Sequence, residues 1–361
     1  MINKLATNSP AVANRHFVLS RPDSIGDVVL TLPMAGVLKA AFPGCRVSLL
    51  GRNYTRPLAL ACEHLDGVYA WDEIESTPHV EQVAQFRAMG ADAIFHVLPK
   101  PEIARLAKAA QIPLRIATSR RMSHWLTCNR LVYLHRHHSP LHEAQLNLKL
   151  LRGVGLRDTY SLDEMRDCFG LNIVPQLRPA LAAAIDPERF NLIVHPKSGG
   201  TSREWPIEHF AALIGNLRAA RFNVFVTGSP REAEQVRSSL PMNLPHVHDV
   251  MGRLMLTDLI ALMHRVDGLL AASTGPLHMA AAIGLHVVGL YAPVGSKHAG
   301  RWGPIGPRTR VFQLPEKCSL CRRSNVCACM RRITSAEVSA YLCGLARPAT
   351  TDGVATTPAR R

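Results

Sequence analysis

Short apolar segments alternate with helix-like segments along nearly the whole chain, and this alternation constrains the fold more than any other feature. The first half carries HFVLS, RVSLL, AIFHVL and LRIAT, and the second half carries FNLIVH, FNVFV, GLLAA and HVVGLY. Apolar runs of this length indicate strands that are buried on both faces, and helices between them indicate a parallel sheet. The chain is therefore predicted to be an α/β protein.

The pattern weakens between the two halves, where Asp, Pro and Arg are frequent, and this places the predicted domain junction. A chain of 361 residues is long for a single core and suits two. We expect a first Rossmann-like domain over residues 1–165, a linker over 166–189 and a second such domain over 190–345. Residues 346–361 contain little that could be buried and are predicted to form a disordered tail.

Helix signals fill the intervals between the predicted strands. Apolar periodicity predicts one helix over residues 25–42 and shorter helices near 80–89 and 102–110. In the second half, Pro206 stands in the first turn of a helix, and Thr257 or Asp258 caps another. Two doubly wound parallel sheets built in this way leave a cleft at the carboxyl ends of their strands, where ligands bind.

The excess of basic residues limits the classes of partner. The chain has 42 Lys and Arg against 27 Asp and Glu, a formal net charge of +15, which attracts polyanions. No helix-turn-helix, RNP or zinc-finger pattern occurs, so we expect no nucleic-acid partner. No apolar stretch approaches the roughly 20 residues that span a bilayer, and the first residues hold no signal-peptide core. We expect a cytoplasmic protein that is peripheral to the inner membrane at most.

The first predicted strand ends in a loop that contains Gly26 and Asp27 and leads into a helix. Glycine lets the backbone approach a ligand closely. Asp27 at a helix start would complement the helix dipole, which is the commoner reason for such a residue. A carboxylate aimed into the cleft could instead take a proton from a hydroxyl group as a general base. Residue type alone favours the helix-start interpretation.

The loop KSGGTSR, after the first strand of the second half, combines small residues, hydroxyls and cations directly before a helix. Lys197, Ser198, Thr201 and Arg203 would supply hydrogen-bond donors and positive charge, and the backbone would add N–H groups. Such a loop at a helix N-terminus is suited to hold phosphate. A flexible basic loop is the alternative, and we favour phosphate binding because all of these features coincide.

Two further strand ends in the second half carry candidate residues for a nucleotide ligand. One of them leads into a helix of small residues, so its backbone N–H groups could also bind an anion. Together with the KSGGTSR loop, it would give this domain two anion-binding loops, which suits a diphosphate. Glu232 follows the second strand of this half, where a carboxylate often meets ribose hydroxyls, although an acidic helix start explains it equally well. His278 could instead be a core histidine, which is the commoner case. The candidates at the first of these strand ends are Ser273, Thr274, Gly275, Pro276 and His278.

Taken together, these loops resemble glycosyltransferase family 9, the ADP-heptose:lipopolysaccharide heptosyltransferases. The segments SIGDVVLTLP, HPKSGGTSREWP and STGPLHMAAAIG stand in the family's order, and the resemblance runs from about residue 16 to 338. It implies a GT-B fold, in which two Rossmann-like domains face a cleft, with the acceptor in the first and the nucleotide sugar in the second. It also implies an inverting transfer without metal or other cofactor.

The resemblance also implies roles for single residues. Asp27 would be the base that activates the acceptor hydroxyl, and Arg203 would neutralise the departing diphosphate of ADP-heptose. Glu232 would be the ribose contact. The residues that would bind the donor phosphates or line the donor sugar are Ser198, Thr274, Gly275, Pro276 and His278.

The first half should hold the acceptor, a lipopolysaccharide core of the lipid A/Kdo type. His96 and Lys100 lie at the end of a strand that should face the cleft, and we expect them to contact the acceptor. The segment 119–138 is basic and could contact phosphorylated sugars or a lipid headgroup, although solvated loops explain it equally well.

One position departs from the family pattern. Many members carry Asp directly before the S/T-G-P segment, where this chain has Ser273. A carboxylate that could hold hydroxyls of the donor sugar is therefore absent. A related GT-B transferase with another nucleotide sugar stays open beside the heptosyltransferase, and so does a non-catalytic homologue that binds lipopolysaccharide precursors or membrane.

Four cysteines lie close together near the C-terminus: Cys318, Cys321, Cys327 and Cys329. Four thiolates can hold Zn²⁺ tetrahedrally, and the first pair has an ordinary zinc spacing. The second pair is unusually close, and a reduced, thiol-rich loop is the simpler explanation in the cytosol. We therefore predict no metal site, with these thiols as the weak candidates.

Overall fold

The computed structural model describes residues 14–136, 139–200, 202–294, 298–315 and 327–346. The strands of the first half are β1 (His16–Ser20), β2 (Arg46–Gly51), β3 (Gly67–Ala70), β4 (Ala93–His96), β5 (Leu114–Thr118) and β6 (Arg130–Val132). Those of the second half are β7 (Phe190–His195), β8 (Phe222–Val226), β9 (Val247–Asp249), β10 (Gly268–Ala272), β11 (His286–Tyr291) and β12 (Thr309–Gln313).

Each half forms one six-stranded sheet, and the two sheets share one topology. The orders are β3-β2-β1-β4-β5-β6 and β12-β11-β10-β7-β8-β9, and the strands run parallel throughout. This is the doubly wound Rossmann order. The direction in which successive strands are added to the sheet reverses between the first and fourth strands of each half. The predicted fold is confirmed. The loops after β1, β4, β7 and β10 lie at these two switch points.

Helices connect the strands and cover both sheets. In the first half they are α1 (Ile25–Val29), α2 (Leu32–Ala41), α3 (Arg56–Leu60), α4 (Trp71–Glu75), α5 (His79–Ala88), α6 (Pro101–Ala109), α7 (Met122–Thr127), α8 (Glu143–Leu148) and α9 (Leu162–Arg166). The later helices are α10 (Pro179–Ala184), α11 (Ile207–Asn216), α12 (Pro230–Val236), α13 (Leu256–Met263), α14 (Gly275–Ile283), α15 (Ala299–Trp302), α16 (Ala328–Arg332) and α17 (Ser335–Leu345). In the ranges that the structure describes, none of them could cross a bilayer.

The single helix predicted over residues 25–42 is wrong, because the chain forms two. Helix α1 ends at Val29, and α2 starts at Leu32 with Pro33 in its first turn. Proline lacks an N–H, and its ring collides with the carbonyl group four residues earlier, which here is Val29. The proline therefore separates a short helix, which begins directly after the loop that follows β1, from a longer one.

Two predicted helix starts are also shifted. Pro206 is the N-cap of α11 instead of a residue of its first turn, because Ile207 is the first helical residue. Met255 is the N-cap of α13, and the carboxylate of Asp258 accepts the Met255 N–H at 3.0 Å. Asp258 thus satisfies a backbone donor at the helix start from inside the first turn.

The predicted linker is divided between the two halves. Its first part packs on the first half, where Phe169 is buried and the Gly170 carbonyl accepts the Glu63 N–H at 2.8 Å. Farther along, Arg178 is paired with Asp258 of the second half at 2.9 Å. The domain boundaries themselves stay a prediction, and the predicted tail beyond residue 346 lies outside the described residues.

Replacement of Gly36 in α2 tests the packing of this linker. A methyl group at Gly36 would lie 2.4 Å from the carbonyl oxygen of Cys168. We expect Gly36→Ala to lower the free energy of unfolding by about 1–3 kcal/mol, because backbone must move to admit the methyl group. Urea denaturation measures the change.

Gly215→Ala in α11 is the matched control, since nothing lies within 4 Å of the added methyl group. This variant should be as stable as the unmodified protein or more stable by about 0.5–1 kcal/mol, because alanine favours helix over glycine. If Gly36→Ala behaved like Gly215→Ala, residue 168 would not pack against α2.

Candidate active site

The loop after β1 places two carboxylates around one buried arginine. Arg21 is 4% exposed, and its Nη2 donates to Oδ1 of Asp27. Arg21 Nε lies 3.3 Å from Oδ2 of Asp23. Ser24, the N-cap of α1, donates from its hydroxyl to the second oxygen of Asp27 at 2.5 Å. Asp27 is thus oriented by two side chains of its own loop.

Burial and charge separate the behaviour of the two carboxyl groups. Burial alone would raise the pKa of Asp27, but Arg21 and the hydrogen bond from Ser24 outweigh it and hold the pKa below its ordinary value. Burial raises the pKa of Asp23 to about 6, opposed by Arg21 and reinforced by the neighbouring Asp27 carboxylate. Asp27 therefore stays ionised to lower pH than Asp23, whose carboxyl group takes up a proton below about pH 6.

The start of α1 is in contact with the start of α14. A methyl group at Gly275 would lie 2.8 Å from Cβ of Ile25, and one at Gly26 would lie 3.1 Å from Cδ2 of His278. Glycine therefore permits the two switch-point loops to approach each other this closely. The same contact brings Asp27 into the electrostatic environment of His278, whose pKa burial lowers to about 3. The His278 imidazole is neutral at physiological pH.

The loop after β7 is organised by a carboxylate that the sequence analysis did not single out. Glu204 is paired with Lys197 and accepts hydrogen bonds from the Ser198 N–H at 2.9 Å and the Ser198 hydroxyl at 3.0 Å. The positive charge of Lys197 is therefore balanced within the loop. This weakens the expectation that Lys197 neutralises a bound phosphate by itself.

Arg203 lies half-buried in the same loop, two residues before a fixed tryptophan. The indole N–H of Trp205 donates to the Ile333 carbonyl at 2.8 Å, and the ring is 2% exposed. Gly199 has a φ of +57°, the left-handed conformation that favours glycine. Thr201, predicted to bind phosphate, lies outside the described residues.

The carboxylate of Glu232 caps its own helix. One oxygen accepts from the Ser229 N–H at 2.7 Å and the Ser229 hydroxyl at 2.9 Å, and the other accepts from the Gly199 N–H at 3.0 Å. The acidic helix start that the sequence left open is therefore present, and it also ties α12 to the loop after β7. The contact with ribose stays a prediction.

The loop after β10 ends in the N-terminus of α14. Thr274 is the N-cap, and Pro276 stands in the first turn. Among the described residues, Thr274 Oγ1 and His278 Nδ1 are buried without a hydrogen-bond partner. Ser273 hydrogen-bonds the hydroxyl of the buried Tyr291. This strand end therefore carries a hydroxyl group at Ser273, where many members of the family that the sequence resembles carry a carboxylate.

Comparison with known proteins agrees with this arrangement. A family model described as glycosyltransferase family 9 (heptosyltransferase) matches residues 85–329. The lipopolysaccharide core heptosyltransferase OpsX of Haemophilus influenzae is 34% identical over 110 residues, which cover 30% of this chain and 32% of that one. The lipopolysaccharide heptosyltransferase 3 of Escherichia coli is 20% identical over 293 residues, covering 74% and 79%. The chain belongs to glycosyltransferase family 9.

The fold agrees with a solved structure from the same group of enzymes. The E. coli ADP-heptose lipopolysaccharide heptosyltransferase II has a TM-score of 0.71 at 18% identity, covering 92% of this chain and 98% of that chain. The expected GT-B architecture is thus confirmed. This family 9 member is a glycosyltransferase, and the predictions that remain concern its donor, its acceptor and its individual site residues.

The predicted acceptor residues differ in their surroundings. His96 ends β4 but is only 1% exposed, and its ring stacks on His124 with centroids 6.0 Å apart. Both of its ring nitrogens are buried without a hydrogen-bond partner among the described residues. The contact of His96 with an acceptor stays a prediction. Lys100 is the half-buried N-cap of α6, and its Nζ lies 5.7 Å above the ring of Trp71. Lys100 stays a candidate.

A salt bridge between the halves escaped the sequence analysis. Glu143 of α8 pairs with Arg136 and with Arg301 of α15, and its side chain is 4% exposed. Next to it, Nε2 of His142 lies 2.9 Å from the Gly303 carbonyl oxygen. No sequence pattern pointed to Glu143 or His142, because Arg301 and Gly303 lie far away in the chain.

The cysteine cluster is only partly described. Cys327 is buried directly before α16 and Cys329 is half-buried within it, whereas Cys318 and Cys321 lie outside the described residues. Over the described ranges, no group of three or more His, Cys, Asp or Glu side chains could hold a metal ion. The absence of a metal site in the cluster stays a prediction.

The pH dependence of stability tests the carboxylate pair. The folded pKa of Asp23 is about 6 against an ordinary 3.8, so its carboxylate destabilises the fold at higher pH. This cost shrinks as the folded state takes up a proton between about pH 6 and pH 4. We expect Asp23→Asn to gain more stability over the unmodified protein at about pH 8 than at about pH 5, as measured by urea denaturation.

Asp163→Asn is the control, because that carboxylate is 77% exposed and lies in α9. A stability gain for Asp23→Asn that is equal at both pH values would contradict the assignment of the raised pKa to Asp23.

Proposed function

We propose that this family 9 glycosyltransferase transfers a heptose from ADP-heptose to a lipopolysaccharide inner-core acceptor with inversion at the anomeric carbon. One observation carries the proposal: the oriented carboxylate of Asp27 lies beside the start of α14, and the loops after β7 and β10 in the other half contain unpaired buried polar atoms. Those atoms are Ser202 Oγ, Thr274 Oγ1 and His278 Nδ1. Buried polar atoms are nearly always hydrogen-bonded, so such a group needs an explanation, and the phosphate and sugar oxygens of a donor would supply it.

Asp27 is suited to the role of general base. Its side chain is 18% exposed, so an acceptor hydroxyl could reach it. Arg21 and Ser24 hold the carboxylate in one orientation, which keeps a base aligned with the attacking oxygen. In the proposed step the acceptor oxygen bonds to the anomeric carbon, its proton passes to Asp27, and the bond from that carbon to the diphosphate breaks.

The leaving diphosphate would be stabilised by fixed groups of the second half. Arg203 contributes a permanent cation, and the start of α14 contributes N–H donors. Ser198 would have to exchange its bonds to Glu204 for a phosphate oxygen. Donors and cations that are already in place lower the barrier most when they face the charge that grows on the leaving group. Thr274, Gly275 and Pro276 would line the donor by the same arrangement.

A specific contact supports a different donor sugar as the alternative. Ser273 is held by the Tyr291 hydroxyl, so this end of β10 presents neutral hydroxyl groups to a donor. A carboxylate accepts two strong hydrogen bonds from a sugar diol, whereas a hydroxyl both donates and accepts. A nucleotide sugar other than ADP-heptose is therefore the alternative.

Replacement of Asp27 tests the catalytic assignment. We expect Asp27→Asn to lower kcat by about 10²–10⁴-fold, because the amide cannot accept the proton of the acceptor hydroxyl. The assay incubates the full chain with ADP-heptose and a truncated lipopolysaccharide core, measures the mass of the product, and determines its anomeric configuration by NMR.

Asp163→Asn again serves as the control and should retain the unmodified rate. ADP should bind the Asp27 variant and the unmodified protein with equal affinity, because the carboxylate lies in the other half. Undiminished turnover by Asp27→Asn would remove the residue from the mechanism, and a product with retained anomeric configuration would refute inversion.

Nucleotide binding tests the donor site. We expect ADP to raise the melting temperature and Arg203→Ala to weaken ADP binding by about tenfold or more, since a charge-assisted contact to phosphate is lost. Arg218→Ala is the matched control, an exposed arginine at the amino end of β8 and thus at the opposite edge of the sheet. Stabilisation by UDP but not by ADP would favour the alternative donor.

A further inference from the structure

Helix α7 exposes apolar side chains instead of burying them. Met122 is 89% exposed, Trp125 66% and Leu126 76%. Their spacing of three and four residues places them on one face of the helix, while His124 and Thr127 occupy the buried face. A surface helix normally turns its apolar stripe to the core, so this orientation requires a partner.

The apolar surface continues onto the edge strand of the first sheet. Tyr133, 70% exposed, directly follows β6. The Ser119 carbonyl accepts the Trp125 indole N–H at 2.9 Å, and the Ser119 N–H donates to the Val132 carbonyl at 2.9 Å. Ser119 thus connects the ring of Trp125 with the residue that precedes Tyr133. We call Met122, Trp125, Leu126 and Tyr133 the α7 patch.

The chain around the α7 patch is exclusively basic. No Asp or Glu occurs between Glu102 and Glu143. Exposed cations in this stretch lie on α6, which packs against α7, at the start of α7 and in β6. They are Arg105, Lys108, Arg120, Arg121 and Arg130.

This combination matches an anionic lipid surface in its charge and in its side chains. Cations near such a surface are attracted to lipid phosphates. Trp and Tyr prefer the level of the headgroups, because their rings are apolar at one end and polar at the other. The indole N–H of Trp125 is engaged with backbone, which leaves its apolar edge outward. A protein partner would need an acidic surface that also accommodates these apolar side chains, whereas an anionic bilayer offers both properties.

We propose that the α7 patch docks the enzyme on an anionic bilayer, with Met122 and Leu126 entering the boundary of the acyl chains. Because α7 follows β5, it begins at the carboxyl edge of the first sheet, the edge that also carries the Asp27 loop. Docking therefore places the acceptor half against the surface that anchors a lipid-linked acceptor. That last consequence rests on the proposed function, whereas the docking itself does not.

Vesicle flotation of the full chain tests the proposal. Vesicles of phosphatidylglycerol and phosphatidylcholine in equal parts should bind the protein, vesicles of phosphatidylcholine alone should not, and added salt should weaken binding. The triple variant Met122→Ser, Trp125→Ser, Leu126→Ser should bind the anionic vesicles about tenfold more weakly or worse, since it loses the inserted apolar surface.

A matched triple variant controls for the loss of exposed apolar residues in general. Leu60→Ser, Val80→Ser, Met255→Ser removes side chains that are 60%, 80% and 74% exposed elsewhere on the surface, and it should bind as the unmodified protein does. Both triple variants should keep the unmodified urea midpoint. Tryptophan fluorescence should shift to the blue on anionic vesicles, and Trp125→Phe should abolish that shift. Of the other tryptophans, Trp71 and Trp205 are each 2% exposed, and Trp302 is half-buried in α15 of the other half.

Equal binding of the α7 triple variant and the unmodified protein would overturn the proposal, and so would equal binding of the two vesicle types. Flotation is measured without donor or acceptor. A protein that binds vesicles but transfers no sugar would refute the proposed function alone, and one that transfers sugar to a soluble core but does not float would refute the docking surface alone.

Discussion

The contact between the first turns of α1 and α14 is the constraint on which the site depends. The central strands of each sheet end at a switch point. The two switch points can form one site only if they lie close to each other. Gly26 and Gly275 allow this, because a methyl group at Gly275 would lie 2.8 Å from Cβ of Ile25. The same contact continues the hydrophobic core from one half to the other, since Val28 and Leu277 belong to a single cluster. The hydrophobic core and the candidate site therefore share this contact.

Charged groups reinforce this arrangement, and their burial makes it specific. Two buried charges cost solvation free energy that only close pairing offsets, so an isolated member would be strongly destabilising. Arg21 compensates two carboxylates within the first half, whereas Glu143 is compensated by Arg301 from the other half. Separation of the halves would leave Glu143 with Arg136 alone. The ion pairs thus favour one relative placement of the loops that carry Asp27 and His278.

The central strands could be predicted from the sequence, because their apolar runs are visible within a short window of residues. Central strands such as β1, β7 and β10 are buried at every position, so they appear as continuous apolar runs. The edge strands were not predicted, because a strand with one neighbour exposes part of its length and alternates in polarity. Among them, β6 has three residues and β12 is mostly half-buried. The strand order itself follows from pairings between distant segments, which no window of sequence contains.

The site shows the same division between local and distant information. Asp27, Arg203 and the α14 loop were found because strand, glycine and helix start follow one another along the chain. Glu143 and the pairing of Asp23 depend on partners that only the folded chain supplies. Charge distribution lies between these cases: the net charge of +15 favours an anionic partner but does not indicate where it would bind. The folded chain gathers exposed cations on α6, α7 and β6, which carry a single acid, Glu102 in the first turn of α6. These cations lie beside the edge that carries the Asp27 loop, so an anionic surface and the proposed acceptor would meet the same side of the enzyme.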